Sequence, residues 1–414
     1  MKLRSMDLKT VVIINSYASI NGGATRVATD EARGLAERGI RVKFISAVGP
    51  VSEELRHENI EVSCLHQSAL LNSTTPLRTA LNATWNAAAY GQMRHALSDC
   101  DPFNTAVHVH GFSHGISVSP IKCAIDLGYS PIHTVHDYFS VCPTGSFFDF
   151  KSHESCELTP LSVSCVSRNC DRRSYAHKLY RVARMQFQRG LKIFQTGIRH
   201  FICLSPKALQ LAKDHLPLNS EFFLLQNPCA VPRCDPVEIY DRSKFVFIGR
   251  LDELKGVHFL LKALTGLKSE VLFVGDGPLR TDVESSPNCS VSGWGSRESV
   301  IRDLASSRCL IFPSLCRETF GLSVIDAAAI GVPSIVTSIS GASDYVVNDD
   351  TGWIINPHDV GALQQRLALA SNTEIARAFG LRAHRRYWDS PMTPEIHTTK
   401  LIDIYLKLLD EQTR

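Results

Sequence analysis

Short apolar runs punctuated by glycine and proline recur along the chain in two series. Residues 11–14 (Val-Val-Ile-Ile) are apolar throughout, as in a strand buried on both faces, and Asn21-Gly-Gly-Ala24 interrupts the pattern. Residues 25–38 then carry Val27, Ala28, Leu35 and Ala36 at helical spacing, Gly39 ends that helix, and 41–46 form a second strand. This is a βαβ unit. Apolar runs at 106–109, 132–135 and 200–204 continue the first series, and those at 244–248, 270–274, 309–312 and 333–336 form the second. Strands alternating with helical stretches predict two α/β domains with parallel sheets, and ligands sit beyond the carboxyl ends of such strands. The join falls in 227–241, which contains Pro228, Pro232 and Pro236. After Pro394, the spacing of Ile396, Leu401, Ile404, Tyr405 and Leu408 predicts an amphipathic closing helix.

Composition excludes several classes. The chain has 414 residues, 44 Lys plus Arg against 41 Asp plus Glu, and 44% hydrophobic residues, so it is neither disordered nor a dedicated nucleic-acid binder. No apolar stretch is long enough to cross a membrane, and the start has no secretory pattern, so a cytoplasmic protein is expected. The near-neutral total hides an asymmetry. Residues 168–199 hold nine cations (168, 172, 173, 178, 181, 184, 189, 192 and 199) and one acid, Asp171, a net +8 that leaves −5 on the rest of a +3 chain. Tyr175, Leu179, Val182, Met185 and Phe187 give the stretch an apolar face. Such a basic amphipathic helix suits an anionic membrane surface or a lipid pyrophosphate, or else packs its apolar side on the domain.

The thirteen cysteines read as reduced thiols. Cys142, Cys156, Cys165 and Cys170 cluster in one stretch without a standard zinc spacing; Cys165 and Cys170 with His153 or His177 are the alternative metal set, and no metal is expected. His108 and His110 share one face of a strand and, with His114, read as strand and pocket histidines. Asp99-Cys-Asp101 reads as a surface turn.

The chemistry concentrates in loops after the second series of strands. Gly249-Arg-Leu-Asp-Glu-Leu-Lys-Gly256 places a guanidinium fork and a point charge five residues apart, suited to a diphosphate. Gly275-Asp-Gly-Pro278, by itself turn punctuation, and Ser292-Gly-Trp-Gly295 follow, the latter offering backbone to a planar base or else carrying a structural tryptophan. In the stretch from Pro313 to Pro333 a strand ends, Glu318 follows, and a helix begins near Phe320 or Gly321 with unpaired N–H groups, an anion site. Asp326 lies about one turn further on.

Gly249-Arg-Leu-x3-Lys-Gly256, Val274-Gly-Asp-Gly-Pro278, and Glu318-x-Phe-Gly-Leu-x3-Asp326 with Ala329-x-Gly-x-Pro333 together resemble the retaining GT-B glycosyltransferases known as family 4. Gly22-Gly23 and Thr134-Val-His-Asp137 look like that family's acceptor-domain landmarks. The resemblance implies two Rossmann-like parallel-sheet domains facing across a cleft: 1–235, acceptor-binding, with a Cys-containing insert at 142–170 and a basic helix at 172–196; 236–394, nucleotide-sugar-binding; and 395–414, a helix returning to the first domain. It implies that Arg250 and Lys255 neutralise the donor diphosphate and Glu318 binds sugar hydroxyls. Phe320, Gly321, Leu322 and Gly23 would supply backbone N–H groups, His136 would lie by the transferred sugar, and Gly293 and Asp326 would complete the donor site. Asp326 stands where the family has a glutamate, which shortens the reach to the ribose by one methylene. The expected function is metal-independent, retaining transfer of a sugar from a nucleotide sugar to a glycan or lipid-linked acceptor for a surface polysaccharide or glycolipid, with no cofactor and no nucleic-acid partner. The alternatives are a nucleotide-sugar epimerase on the same fold and an inactive sugar-nucleotide-binding protein. The insert is expected to form a lid or acceptor wall through Phe147, Phe148 and Phe150, or else to be a plain structural excursion.

Overall fold

The computed structural model describes residues 8–68, 76–239 and 242–413; residues 1–7 of the start and 240–241 of the join lie outside the described residues. The first sheet contains β1 (Thr10–Ile14), β2 (Arg41–Ser46), β3 (Ile60–Cys64), β4 (Thr105–Val109) and β5 (Ile132–Thr134). A two-stranded ribbon, β6 (Phe148–Asp149) and β7 (Glu154–Ser155), interrupts it before β8 (His200–Cys203) and β9 (Glu221–Leu224). The second contains β10 (Phe245–Ile248), β11 (Val271–Val274), β12 (Cys289–Gly293), β13 (Cys309–Phe312), β14 (Ser334–Thr337) and β15 (Gly352–Ile355).

Both sheets are parallel and doubly wound. Their orders are β3-β2-β1-β4-β5-β8-β9 and β12-β11-β10-β13-β14-β15, so strand order reverses between β1 and β4 and again between β10 and β13. The central strands are the continuous apolar runs because helices cover both faces: every residue of β1 is buried. The edge strands β3 (Ile-Glu-Val-Ser-Cys) and β9 (Glu-Phe-Phe-Leu) are half-exposed and more polar, and periodicity alone does not reveal them.

Three segments join the domains. The helix Pro394–Thr413 returns to the first domain, where Leu401, Tyr405 and Leu408 pack with Val11, Ile13 and Leu35. Arg38 donates to the Glu395 carbonyl at 2.6 Å, pinning the start of that helix. The linker crosses back through Cys229, whose N–H donates to the Met392 carbonyl at 2.9 Å.

The third segment is the insert, and it corrects an expectation. Phe147 and Phe148 are buried rather than presented to a ligand, and Phe148 lodges among Phe247, Val257 and Phe273 of the second domain. An aromatic ribbon between two domains finds apolar cover there. Ion pairs flank it: His153 to Glu253 at 3.3 Å, Arg317 to Glu157 at 3.4 Å and Arg172 to Asp252 at 3.5 Å.

The basic stretch also differs from expectation. It is a helix, Tyr175–Gly190, capped by Ser174, then a left-handed Lys192 and a separate turn, Ile193–Gly197. The expected apolar face splits: Val182 and Met185 point inward with Lys178, Arg184 and Gln188, while Tyr175, Leu179 and Phe187 are exposed. The first domain offers polar partners here as well as apolar ones. Lys178 Nζ donates to Cys170 Sγ at 3.2 Å and to Cys165 Sγ at 3.5 Å. All thirteen cysteines are free thiols. His153 turns to Glu253 and His177 to Ser174, so the alternative metal set is not assembled.

Candidate functional site

The loops beyond β1, β5, β10, β11, β12 and β13 enclose a cleft of about 750 Å³ between the domains. Its C-terminal wall is built from closely nested backbone. Asp252 accepts from the Lys255 N–H at 3.2 Å and starts the turn Glu253–Lys255, which ends in a left-handed Gly256 (φ 73°). A Cβ on Gly256 would lie 2.0 Å from the Pro313 carbonyl oxygen, and one on Gly275 (φ 146°) 2.0 Å from that of Gly249. These glycines let the three loops approach one another.

That nesting brings two predicted residues together. Lys255 Nζ lies 2.5 Å from Glu318 Oε1, which also accepts from Ser314 Oγ at 3.0 Å. Burial pulls the Lys255 ammonium down in pKa, but the Glu318 carboxylate outweighs it and the net shift is upward, so the lysine stays charged. Arg250 is about half exposed, with Nε 3.2 Å from Asp252.

Two helices begin at the cleft with glycine caps and no side-chain cap: Gly23–Ala36 after Gly22, and Leu322–Ile330 after Gly321. A Cβ on Gly23 would lie 3.1 Å from Leu322 Cδ1, so the two helix starts face each other at close range. Their N-terminal amides and dipoles make the gap an anion site.

His136, Gly23, Arg250, Lys255, Glu318, Phe320, Gly321 and Leu322 all line the cleft, and so does the exposed Trp294. The Phe320 ring itself is buried against Tyr345, leaving its backbone for a ligand. Gly293 and Asp326 do not line the cleft. Asp326 is buried with its carboxylate 2.8 Å from Arg297 and 3.3 Å from the Cys229 thiol. One turn into its helix, it faces the neighbouring helix Arg297–Ala305, and its carboxylate is paired there with Arg297. Burial raises its pKa and Arg297 opposes that rise.

The N-terminal wall is built from side chains. His136 Nε2 lies 2.9 Å from His110 Nδ1, whose Nε2 is 3.1 Å from Glu31 Oε2. His108 Nδ1 is 3.3 Å from the same oxygen and 2.6 Å from the Tyr405 hydroxyl. Glu31 Oε1 meets His397 Nε2 at 2.9 Å, and His397 Nδ1 donates to the Gln226 carbonyl at 2.8 Å. Burial raises the Glu31 carboxyl, yet the flanking histidines outweigh it and hold it well below the usual range. Burial, reinforced by His110, holds His136 well below its usual pKa and therefore neutral at pH 7. Glu31, His108 and His110 are close enough to share a metal ion, and in this structure their atoms face one another.

Glu31 and His397 were not among the predicted site residues. The signal for Glu31 is its position on the apolar stripe of its own helix, four residues after Val27 and four before Leu35. Asp99 stays at the surface, bonded to Arg41 at 2.7 Å and to the buried Lys43.

Two doubly wound sheets facing across a cleft, with paired charges and two helix starts at their switch points, define a GT-B protein. Comparison with known proteins carries this to a family. Residues 242–372 match the family model described as Glycosyl transferases group 1. D-rhamnosyltransferase WbpZ of Pseudomonas aeruginosa is 31% identical over 152 residues, 34% of this chain and 40% of that protein; the chain thus spans less than half of that relative. N-acetyl-alpha-D-glucosaminyl L-malate synthase of Bacillus anthracis is 29% identical over 398 residues, 92% and 93% of the two chains. Sucrose-phosphate synthase from Thermosynechococcus elongatus superposes with a TM-score of 0.71 at 17% identity, covering 97% of this chain and 100% of the other. Residues 242–372 thus match a glycosyltransferase family model, the whole chain has the GT-B fold, and the names of its relatives fit family 4.

Proposed function

We propose that the chain transfers a sugar, with retention and without a divalent metal, from a nucleotide-sugar donor to a glycan or lipid-linked acceptor in surface polysaccharide or glycolipid synthesis. The observation that carries this reading is the convergence of Lys255, Glu318 and two uncapped helix starts in one cleft, with Arg250 beside them. As the bond to the diphosphate breaks, charge grows on the departing phosphate. Fixed cations and amides then stabilise the transition state more than the ground state. Glu318 holds donor hydroxyls and positions Lys255, and neutral His136 contacts the transferred sugar from the opposite wall.

Release of nucleoside diphosphate tests the assignment. Lys255→Ala and Glu318→Ala should each lower turnover about 10²–10³-fold, and unchanged turnover in both would overturn it. Activity should survive a chelator, and proton NMR should show the product's anomeric configuration matching the donor's.

Peripheral membrane binding through 168–199 belongs to the same proposal, supported by exposed Tyr175, Leu179 and Phe187 on a basic helix. Among the described residues no helix is long and apolar enough to cross a membrane. Co-sedimentation should favour anionic over neutral vesicles; equal binding to both, or to neither, sinks this part.

A further inference from the structure

Beside the cleft lies a second cavity of about 690 Å³, and Arg250 lines both. Arg172, Arg173, Arg181 and Arg184 join Arg250 in its lining, against a single carboxylate there, Asp171. Asp171 is spent on Arg181 at 2.8 Å. Arg172 and Arg250 share the buried Asp252 behind the wall. For Arg173 and Arg184 the described residues offer no carboxylate within ion-pair distance.

Arg184 is the most telling of the five. It is 5% exposed, and its Nη1 donates to the neutral Ser113 carbonyl at 3.0 Å. Arginine is charged at any physiological pH; the Asp137 carboxylate and the Tyr180 hydroxyl act on it, but no carboxylate lies within ion-pair distance, and a buried charge so weakly balanced is costly. Arg181 and Arg184 also flank one ring, each guanidinium 5.6 Å from the centre of Phe139. That ring is fixed from the insert side, where a Cβ on Gly145 (φ 75°) would lie 2.7 Å from it. The guanidinium groups are therefore held in place, and planar forks held in place suit a phosphate or carboxylate.

We propose that this cavity binds the anionic part of the acceptor, a compact multivalent anion such as a phosphate ester or dicarboxylate. The acceptor role rests on the transfer reaction proposed above; the anion site itself does not. Arg250 marks where the two substrates meet, with the donor on one side of its side chain and the charged acceptor on the other. The insert, by fixing Phe139 and contributing Thr144 and Phe150 to the lining, shapes the acceptor wall from behind.

Calorimetry on the full chain tests this with inorganic pyrophosphate, L-malate and uncharged methyl glucoside. Because Arg184→Gln risks the fold, the variants are Arg173→Gln and Arg181→Gln, each checked by circular dichroism, with Lys255→Ala as the donor-side control. Malate on the wild-type background, and pyrophosphate on the Lys255→Ala background that weakens the donor-side diphosphate site, should bind and should each bind about tenfold more weakly when Arg173 or Arg181 is replaced. Preference for pyrophosphate identifies a phosphorylated acceptor, and preference for malate a carboxylated one. The proposal fails if neither anion binds, if methyl glucoside binds as well as they do, or if only Lys255→Ala weakens binding. Since no step of the measurement requires sugar transfer, a failed transfer reaction and a failed anion site are told apart.

Discussion

The two walls of the cleft solve the same problem with different materials. On the C-terminal wall, glycine loops nest backbone against backbone, and the charges of Lys255 and Glu318 are paired with each other. On the N-terminal wall, buried side chains drawn from the helix Gly23–Ala36, β4, the loop after β5 and the last helix hold one another through Glu31. The first wall is specified locally in sequence. The second is assembled from positions up to 366 residues apart, as in the Glu31–His397 contact.

Substitutions sharpen that contrast. Gly256→Ala puts a Cβ into a carbonyl oxygen at a left-handed position, and strain plus overlap should cost on the order of 4 kcal/mol, read as a loss of urea stability. A well-folded Gly256→Ala protein would break the backbone account of this wall. Glu31→Ala leaves His397 and two further histidines without their carboxylate and should cost about 3 kcal/mol. It should also change the pH profile of turnover, because His136 loses the support reaching it through His110.

Acid should act on the N-terminal wall. Burial pulls His108, His114 and His133 down to about 4, against an unfolded value of about 6.5. Between those values the unfolded chain binds more protons, so stability should fall as pH drops from 7 towards 4. Asp137, pushed up to about 6 by burial, works the other way over roughly the same window, as do the raised carboxyls of Asp30, Asp252 and Asp326, while the lowered His136, His215 and Glu31 add to the three histidines. A urea midpoint that is flat or rising from pH 7 to 5 would contradict this description. The smallest effect belongs to Gly23→Ala. Its Cβ meets only the end of the Leu322 side chain, at 3.1 Å, and should cost less than about 1 kcal/mol while raising the donor KM.

The same contrast explains what the sequence discloses. The central strands, both glycine-started helices and the Lys255–Glu318 wall are legible because each is a local pattern of apolar runs, glycine breaks and charges at fixed offsets. Asp326 shows the limit: its sequence offset suggests a ligand contact, but the direction of its side chain depends on Arg297, on a different helix. The edge strands β3 and β9 are short and half-exposed, so no apolar run announces them. The inward turn of Lys178 and Arg184 depends on partners elsewhere in the first domain, and the burial of Phe148 on a surface of the second.

The returning helix has a consequence for how the protein is made. Leu401, Tyr405 and Leu408 complete the core that begins with Val11 and Ile13, yet a ribosome delivers them almost four hundred residues later. Until then the first domain waits with an open apolar face, and Glu31 waits for His397. Domains synthesised first generally fold first, but here the earliest one can be finished only after the second has been made. A chain cut short before residue 394 therefore has an incomplete first domain, however much of the second has been made.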